Sequence, residues 1–411
     1  MQYVSFLGMV VLLLCAWALS NNRRVIHWRT VIMGTLLQLV FAVIILRTPP
    51  GRAFFSGLTS AVTKLLDFSD AGARFVFGDN FPEHFFAFKV LPTIIFFSSL
   101  ITILYYLGVL QWVVKIFAHI MVKVMGTSGA ESLASAVNVF VGQTEAPLLI
   151  RPYVPHLTQS ELMAVMTGGF ANIAGGVLAA YVGMGVDAGH LIASSVMSAP
   201  ASLVMAKLMF PEREESVTAG SVKIEVERPW TNVIDAAADG ATEGLKLALN
   251  VAGMLIAFIA LVALVNAGLT LVGQGIDRGL RVFGYMLIEP LTLELLLGWL
   301  FRPIAWVMGV PWSEAGHVGS LLGIKTVINE FVGYARLQEM VGQGLLSDRS
   351  RIIATYALCG FANFSSIAIQ IGGIGAMAPS RKADLARLGF RAMIAGSLAT
   401  FQTATIAGML L

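Results

Sequence analysis

The sequence contains few charged residues for its size. Only 12% of its 411 residues are Asp, Glu, Lys or Arg, whereas an ordinary soluble domain carries about 25%. With 57% hydrophobic residues and a mean hydropathy of +0.79, a soluble fold would expose more apolar surface than these charges can offset. A water-soluble enzyme is therefore excluded, and the composition indicates a polytopic membrane protein.

Other absences exclude further classes of function. The two cysteines, Cys15 and Cys359, lie in separate apolar segments and support neither a disulfide framework nor a thiolate metal site. The histidines show no HExxH or HxxxH spacing, so no catalytic metal is expected. The basic residues are scattered, which argues against a nucleic-acid partner. Because no P-loop is present, uphill transport would need an ion gradient.

Long apolar runs predict how the chain crosses a bilayer. About twenty apolar residues span the hydrocarbon core, and basic loops tend to face the cytoplasm. The basic loop 21–30 is then predicted to face the cytoplasm, and both termini are predicted to lie on the external side. Arg349 and Arg351 are also placed on the external side, which goes against the tendency of basic loops to face the cytoplasm. The eight predicted spans are 3–20, 31–47, 92–114, 163–183, 190–210, 245–272, 352–377 and 389–411.

Four further segments are not predicted to be spans. Residues 50–80 mix apolar and charged side chains and predict a helix on the outer membrane surface. The charged segment 211–243 predicts a solvated cytoplasmic connection between two halves. Residues 125–155 and 311–343 are apolar but rich in Gly, Asn, Gln and Glu. Polar backbone at membrane depth persists only inside protein or a water-filled cavity, so both are predicted to be re-entrant hairpins.

A short internal repeat links these segments. Gly169-Phe170-Ala171-Asn172 recurs as Gly360-Phe361-Ala362-Asn363, each inside a predicted span and each downstream of a hairpin glutamate, Glu145 or Glu330. The linking span makes the two units opposite in orientation. Inverted repeats of this kind place a binding site at the membrane midplane, where interrupted helices meet. The pattern predicts an alternating-access transporter.

The two hairpin glutamates are the leading candidates for ligand binding. Carboxylates at membrane depth are costly enough to be functional candidates. The alternatives are structural ion pairs, Glu145 with Arg151 and Glu330 with Lys325. Because a carboxylate can accept two hydroxyl protons, facing glutamates suit a neutral ligand with vicinal hydroxyls, of which a sugar is the simplest.

Residues downstream of the second hairpin add recognition groups of another kind. Phe361, Asn363, Phe364 and Ser366 combine aromatic faces with amide and hydroxyl groups inside one span. Carboxamides such as Asn363 and Gln143 read the edge of a nucleobase while an aromatic face stacks on it. Plain packing in lipid or core is the alternative for the phenylalanines. Sugar and base together predict a nucleoside.

Four motifs resemble those of the concentrative nucleoside transporters. They are Gly142-Gln143-Thr144-Glu145-Ala146-Pro147, the stretch Pro303 to Trp312, Asn329-Glu330-Phe331-Val332, and Cys359-Gly360-Phe361-Ala362-Asn363-Phe364. The resemblance extends over nearly the whole chain. It implies a homotrimer of all-α polytopic protomers, each with eight transmembrane helices, two re-entrant hairpins in inverted repeats and an interfacial helix.

The resemblance also implies a division of the chain into scaffold and mobile parts. Residues 1–120 would form scaffold spans and the interfacial helix, and 121–210 the first transport repeat. Residues 211–310 would supply the cytoplasmic connection and a linking scaffold span, and 311–411 the second transport repeat.

By motif position, the resemblance assigns roles to individual residues. Gln143 and Thr144 would contact the base, beside Gly142, which leaves room there. The base would also meet Val177 and Phe364 or Phe361. Four residues would hold the ribose and neighbouring groups: Glu145, Glu330, Asn363 and Ser366.

The coupling ion implied by the resemblance is sodium at the first hairpin. Its ligands would be Asn138, the carbonyls of Val141 and Ile173, and Asn172, which stands where the family has Ser or Thr. An amide oxygen can ligate a hard cation. Proton coupling stays open, and the alternative for Asn172 is an interhelical hydrogen bond.

These inferences lead to one functional hypothesis and two alternatives. The chain is expected to be a cation-coupled symporter of a bacterial inner membrane that imports nucleosides of the uridine, cytidine or adenosine type. One alternative is a carrier of another small polar metabolite on the same inverted-repeat plan. The other is an intramembrane enzyme that uses the two glutamates as acid and base.

Overall fold

The computed structural model describes residues 1–220, 230–282 and 290–411, and all regular elements within these ranges are helices. Four charged residues of the predicted cytoplasmic connection, Lys223, Glu225, Glu227 and Arg228, lie outside the described residues. The predicted all-helical fold is confirmed.

Four helices form the N-terminal part of the chain. Thr48 caps α3 by accepting a hydrogen bond from the Gly51 amide at 3.1 Å, and two prolines follow at positions that suit the first helical turn. Buried residues recur along one face of α3 and exposed ones along the other, as predicted for a surface helix. The four are α1 (Gln2–Ala18), α2 (Trp28–Arg47), α3 (Pro49–Phe77) and α4 (Leu91–Tyr106).

The predicted span 92–114 is wrong in its C-terminal part. Helix α4 ends at Tyr106, and Gly108 adopts a left-handed conformation with φ +85°, which glycine reaches without steric cost. A separate helix, α5 (Val109–Met125), begins there. Apolar residues run across the junction, so hydropathy alone did not reveal the turn.

Two series of helices follow one plan and are called repeat 1 and repeat 2 from here on. Each begins with one helix, continues into a hairpin and a helix pair separated by a short break, and ends in a long helix. Repeat 1 contains α5, α6 (Gly129–Val137), α7 (Gln159–Ala171), α8 (Gly175–Gly183) and α9 (Ala188–Met209). Repeat 2 contains α11 (Leu293–Val307), α12 (Ala315–Val327), α13 (Glu330–Gly342), α14 (Asp348–Leu358), α15 (Phe364–Met377) and α16 (Lys382–Leu410).

The two hairpins differ in their second limbs. In repeat 2, α12 and α13 are separated only by Ile328 and Asn329. In repeat 1, the chain after α6 forms two short 3-10 turns, Ala146–Ile150 and Val154–His156. Pro147 and Pro155 lie in these turns and remove backbone donors, which prevents a continuous helix.

The core lies where α7, α9 and α16 pack together. Almost every residue of α9 is buried, and its many Ala and Ser side chains let neighbouring helices approach closely. On α16, a Cβ at Gly396 would lie 2.4 Å from the Cβ of Phe170, so only glycine fits. The repeats therefore share one interior.

The helix between the repeats is unusually long. Helix α10 (Val233–Val282) has 50 residues, about 75 Å at 1.5 Å per residue, well over twice the hydrocarbon thickness of about 30 Å. It contains the predicted span 245–272 and starts earlier, so the predicted connection 211–243 ends in helix rather than loop. Ile256, Leu264 and Leu271 on α10 are strongly exposed.

Apolar helices overlap each of the eight predicted spans, but not all of them reach the length of a membrane span. Within the described residues, six qualify fully and two shorter ones are apolar. This supports the multi-pass architecture, while the count of eight crossings stays a prediction. The six are Trp28–Arg47, Phe86–Tyr106, Gln159–Gly183, Ala188–Met209, Val233–Arg278 and Pro379–Leu410, and the shorter two are Gln2–Ala18 and Phe364–Met377.

Candidate functional site

The breaks of the two repeats touch each other at the centre of the molecule. Break 1 covers residues 172–174, between α7 and α8, and break 2 covers residues 359–363, between α14 and α15. The Phe361 amide donates to the Asn172 carbonyl at 3.2 Å. A Cβ at Gly360 would lie 2.7 Å from the Phe170 carbonyl oxygen, so the main chains meet only because this residue is glycine.

The repeated tetrapeptide occupies different structural positions in the two breaks. Asn172 is the residue that ends α7, whereas Asn363 is the residue that precedes α15 and caps it. Sequence identity over four residues therefore does not mark equivalent positions. The two asparagines therefore lie at opposite ends of their breaks, one after a helix end and the other before a helix start.

Glu330 is buried and fully engaged. It is the first residue of α13, where the Asn329 side chain accepts from the Val332 amide at 3.0 Å and caps the helix. One oxygen of Glu330 accepts from the Tyr181 hydroxyl at 2.8 Å, and the other accepts from the Asn363 amide at 3.2 Å. The Lys325 ammonium donates instead to the Ala357 carbonyl and the Thr400 hydroxyl, so within the described residues it makes no direct ion pair with Glu330.

A chain of hydrogen bonds, one of them made by a backbone amide, runs from hairpin 2 to hairpin 1. The Asn363 Oδ1 accepts from the Ser366 amide at 2.9 Å and from the Ser365 hydroxyl at 2.8 Å. Ser366 in turn accepts from the Gln143 amide at 3.1 Å. The structure thus brings together Gln143, Ser366, Asn363 and Glu330, all predicted site residues, into one buried network.

Two members of this network were missed by sequence reasoning. Gln370 is fully buried and donates to Gln143 Oε1 at 3.0 Å and to the Met166 carbonyl at 3.2 Å. Tyr181 is fully buried and bonds Glu330. Helical spacing was the available signal, since Gln370 lies four residues after Ser366 and Tyr181 four after Val177.

The remaining predicted ligand contacts lie at the edge of this network. Glu145 is exposed and lies against Gly142, and no hydrogen bond within the described residues joins it to Glu330 or to Arg151. Thr144 packs against the backbone of Gly373 on α15.

The hydrophobic members of the predicted site differ in exposure. Phe364 is 49% exposed, and its ring lies parallel to that of Phe390, with centroids 6.3 Å apart. Phe361 is partly buried, whereas Val177 is buried on α8 and presents little surface to a ligand in this conformation. Phe364 is thus the aromatic face most open to a stacked base.

The predicted sodium ligands form a second group of oxygen atoms beside break 1. Asn138 and Asn172 are each 1% exposed, and within the described residues neither Oδ1 has a hydrogen-bond partner. Asn172 donates its amide to the Gly168 carbonyl at 3.1 Å, and a Cβ on Gly168 would lie 3.1 Å from Asn138 Nδ2.

Unpartnered buried amide oxygens are costly, and a hard cation would satisfy them. The loop carrying Val141 joins the same place, because the Phe140 carbonyl accepts from the Gly175 amide, directly after break 1, at 3.0 Å. Val141 and Ile173 therefore flank this bond. The residue types fit sodium, which accepts amide and carbonyl oxygen ligands.

Fold and site together define a multi-pass membrane carrier built from two helical repeats. Its central network offers hydroxyl, amide and carboxylate groups to an uncharged polar ligand, and its second group of oxygens offers a place for a cation. Comparisons with known proteins identify the family to which this carrier belongs.

Family models cover most of the chain. A family model described as "Na+ dependent nucleoside transporter C-terminus" matches residues 190–408, and the model of the N-terminal part of the same family matches residues 7–80. A model described as "Gate: Nucleoside recognition" matches residues 87–188.

Relatives and a solved structure resemble the chain over its full length. A protein of Haemophilus influenzae named "Uncharacterized transporter" is 49% identical over 98% of this chain and 97% of its own length. Solute carrier family 28 member 3 of Eptatretus stoutii is 45% identical over 100% of this chain, which spans 60% of that longer protein. The inward-facing, substrate-bound structure of CNTnw is 45% identical, with a TM-score of 0.91, over 100% of this chain and 98% of that one.

The chain belongs to the sodium-dependent, concentrative nucleoside transporters. It is a sodium-coupled symporter and not an enzyme. The expected family, fold class and coupling ion are confirmed, and the hypothesis of an intramembrane enzyme is wrong.

Proposed function

We propose that the chain imports nucleosides across a bacterial inner membrane, and that the nucleoside binds between the two hairpins. The observation that carries this proposal is the continuous buried network from Gln143 through Ser366 and Asn363 to Glu330. A ligand at this place contacts both repeats at once, as alternating access requires.

Glu330 and Asn363 are the proposed ribose ligands, with Glu145 and Ser366. Glu330 already accepts two hydrogen bonds, so its oxygens are oriented for hydroxyl donors. Glu145 is exposed at the tip of hairpin 1, where a ligand between the hairpins can reach its carboxylate. A ligand without the hydroxyls would strand buried polar groups, so nucleosides should be preferred over free bases.

Gln143 and Thr144 are the proposed base ligands. The Gln143 side chain is held by Ser366 and Gln370, which fixes the direction of its amide. Phe364 or Phe361 and Val177 supply apolar contact, and Gly142 leaves space beside the base. Stacking on an aromatic face tolerates different bases, which fits substrates of the uridine, cytidine and adenosine types.

Sodium is proposed to bind at break 1, between Asn138, Asn172 and the carbonyls of Val141 and Ile173. The two unpartnered amide oxygens support this assignment. Sodium there would hold the tip of hairpin 1 against α7 and so support the position of Gln143.

The transport parts of the two repeats are proposed to move relative to a scaffold. The transport parts comprise 121–210 and 311–411, and the scaffold comprises 1–120 and 211–310, so α11 and most of α5 belong to the scaffold. Two contacts support one mobile unit, because the breaks bond each other and α16 packs against Phe170. CNTnw has been solved in inward-facing, intermediate and outward-facing states.

The proposed assembly is a homotrimer. The exposed apolar side chains of α10 fit a surface that contacts lipid or another protomer. Light scattering of the purified protein, corrected for detergent, would measure the number of protomers, and a monomer would contradict this part of the proposal.

Uptake of labelled uridine or adenosine into proteoliposomes tests the proposed site. An inward sodium gradient should drive uptake, and Glu330→Gln and Glu145→Gln should each reduce it about 100-fold, since each removes a charged hydroxyl acceptor. Glu339→Gln is the matched control, because Glu339 lies on the same helix α13 in an exposed pair with Arg336. Uptake undiminished in both site variants would contradict the assignment.

A further inference from the structure

Lys325 is a buried cation that the proposed binding sites do not use. It lies on α12, three residues from the end of that helix, and is 1% exposed. Within the described ranges it forms no ion pair, unlike the buried Lys207, which pairs with Glu131 at 2.8 Å. A buried ammonium without a carboxylate in direct contact is expensive, so its retention calls for a physical reason.

Neutral oxygens surround the ammonium. Lys325 Nζ donates to the Ala357 carbonyl at 2.8 Å and to the Thr400 hydroxyl at 3.1 Å. The ring of Phe401 lies 6.0 Å from it, within the range of a cation–π contact. Ala357 is the penultimate residue of α14, where the partial negative charge of the helix C-terminus favours a cation.

In each repeat the end of the first hairpin helix meets the end of the helix that precedes the break, and this contact is called the junction. In repeat 1 the junction is the proposed sodium site. There the end of hairpin helix α6 meets the end of α7, and Asn138 and Asn172 follow those two ends. In repeat 2 the end of hairpin helix α12 meets the end of α14. One junction leaves two amide oxygens unpartnered, and the other holds an ammonium between a carbonyl and a hydroxyl.

We propose that the Lys325 ammonium is a permanently attached cation that occupies, in repeat 2, the place that sodium occupies in repeat 1. It holds hairpin 2 to α14 and α16 throughout the transport cycle, so repeat 2 requires no ion. Each nucleoside is then accompanied by one sodium ion. This inference rests on the proposed sodium site at break 1.

Sodium stoichiometry in the wild-type protein gives the first test. Charge and labelled uridine entering proteoliposomes are measured together, and binding of radioactive sodium to the purified protein is measured at equilibrium. One sodium per uridine and per protomer is expected, with a Hill coefficient of about 1. Two sodium ions would overturn the Lys325 proposal but leave the proposed function intact, whereas absence of sodium-driven uptake would overturn the proposed function itself.

Replacement of the lysine gives the second test. Lys325→Met keeps the approximate length and removes the charge, and uptake should fall at least about tenfold, within the usual range of coupling effects. Lys246→Met is the matched control, since Lys246 is 63% exposed on α10 and pairs with Glu243 at the surface. Lys325→Met with uptake and sodium dependence like the wild type would overturn the proposal.

A smaller side chain should convert the junction into a site for a free cation. In Lys325→Ser, methylammonium should raise the melting temperature and restore part of the uridine binding, while the wild type should show neither effect. If Lys325→Met does not fold, this melting experiment decides, because the added amine is itself the missing cation. If methylammonium has no effect on Lys325→Ser, the proposal is overturned when Lys325→Met is active. It is also overturned when Lys325→Met is unfolded, because the melting experiment then decides alone.

Discussion

The two breaks differ in how their buried polar atoms are satisfied. Beside break 1 the amide oxygens of Asn138 and Asn172 have no partners within the described residues, whereas at break 2 Asn363 caps α15 and bonds Glu330. The repeats have one helical plan, yet they differ in how many of their buried polar atoms the chain itself satisfies. A duplicated fold can thus keep its geometry while its two copies present different polar groups to their surroundings.

The largest expected effect tests whether the breaks must touch. Gly360→Ala would place a Cβ 2.7 Å from the Phe170 carbonyl, and we expect a loss of about 3 kcal/mol of stability because main chain cannot yield as a side chain does. Gly372→Ala is the control, since nothing lies within 4 Å of its Cβ on the neighbouring α15. Melting temperatures would show the contrast, and equal stability of both variants would refute the close contact.

A pair of substitutions should separate the tasks of the two asparagines. Asn172→Ala is expected to raise the sodium concentration for half-maximal uridine uptake by about 10- to 100-fold, as loss of a metal-site residue commonly does. Asn363→Ser keeps a helix-capping side chain but removes the amide donor to Glu330, and uridine affinity should fall about tenfold or more. The sodium response of Asn363→Ser should change little at saturating uridine.

These asparagine variants would be measured by uptake at varied sodium and varied uridine. The comparison between breaks fails if Asn172→Ala changes uridine affinity alone, or if Asn363→Ser changes only the sodium requirement.

A third prediction concerns the arginines that cap the first helix of each repeat. Arg29 donates to the Lys123 and Val124 carbonyls at the end of α5, and Arg349 donates to the Gly309 carbonyl after α11 at 2.9 Å. Arg349 also bonds the Gly408 carbonyl and the Ser5 hydroxyl, so Arg349→Met should destabilise the protein by about 2 kcal/mol.

The control for this prediction is Arg351→Met. Arg351 forms an exposed pair with Asp348, worth less than about 1 kcal/mol. Thermal unfolding would rank the two variants, and a larger loss in Arg351→Met would contradict the role given to Arg349.

The smallest effect is a pH dependence at the end of α9 in repeat 1. Burial acts to raise the pKa of Glu212, but Lys207 and the Thr158 hydroxyl outweigh it and hold the pKa below its ordinary value of 4.5. A depressed pKa stabilises the folded state above the unfolded value, and this contribution is lost as the pH falls through the folded pKa. The melting temperature should therefore decrease below about pH 4.5, and less so in Glu212→Gln.

Much of the fold could be predicted from hydropathy and turn residues. Uncharged runs located the long helices, and glycine, proline and amide clusters located both hairpins. The junction at Gly108 could not be predicted, because apolar residues continue through it and a left-handed glycine leaves no trace in hydropathy. The start of α10 could not be predicted from hydropathy either, because the first residues of this helix include polar ones that lie outside the predicted span.

Several members of the buried hydrogen-bond network could be identified from the sequence, but their connections could not, and the ligand roles given to them stay predictions. Glu330, Asn363 and Gln143 were identified from the cost of burying polar groups in a membrane, and the structure joins them through Ser366. Their partners Tyr181 and Gln370 lie one helical turn from predicted residues, but the contacts that they make depend on which helix faces meet, which no single helix encodes. Arg349 went against the charge rule for loops because it bonds carbonyls rather than marking a cytoplasmic loop.

The hydrogen bond from the Phe361 amide to the Asn172 carbonyl has a thermodynamic consequence. It joins a residue proposed to contact the nucleoside to a residue proposed to bind sodium, so occupancy of either proposed site would change the cost of filling the other. Linkage then demands symmetry: whatever factor sodium contributes to the affinity for uridine, uridine must contribute to the affinity for sodium.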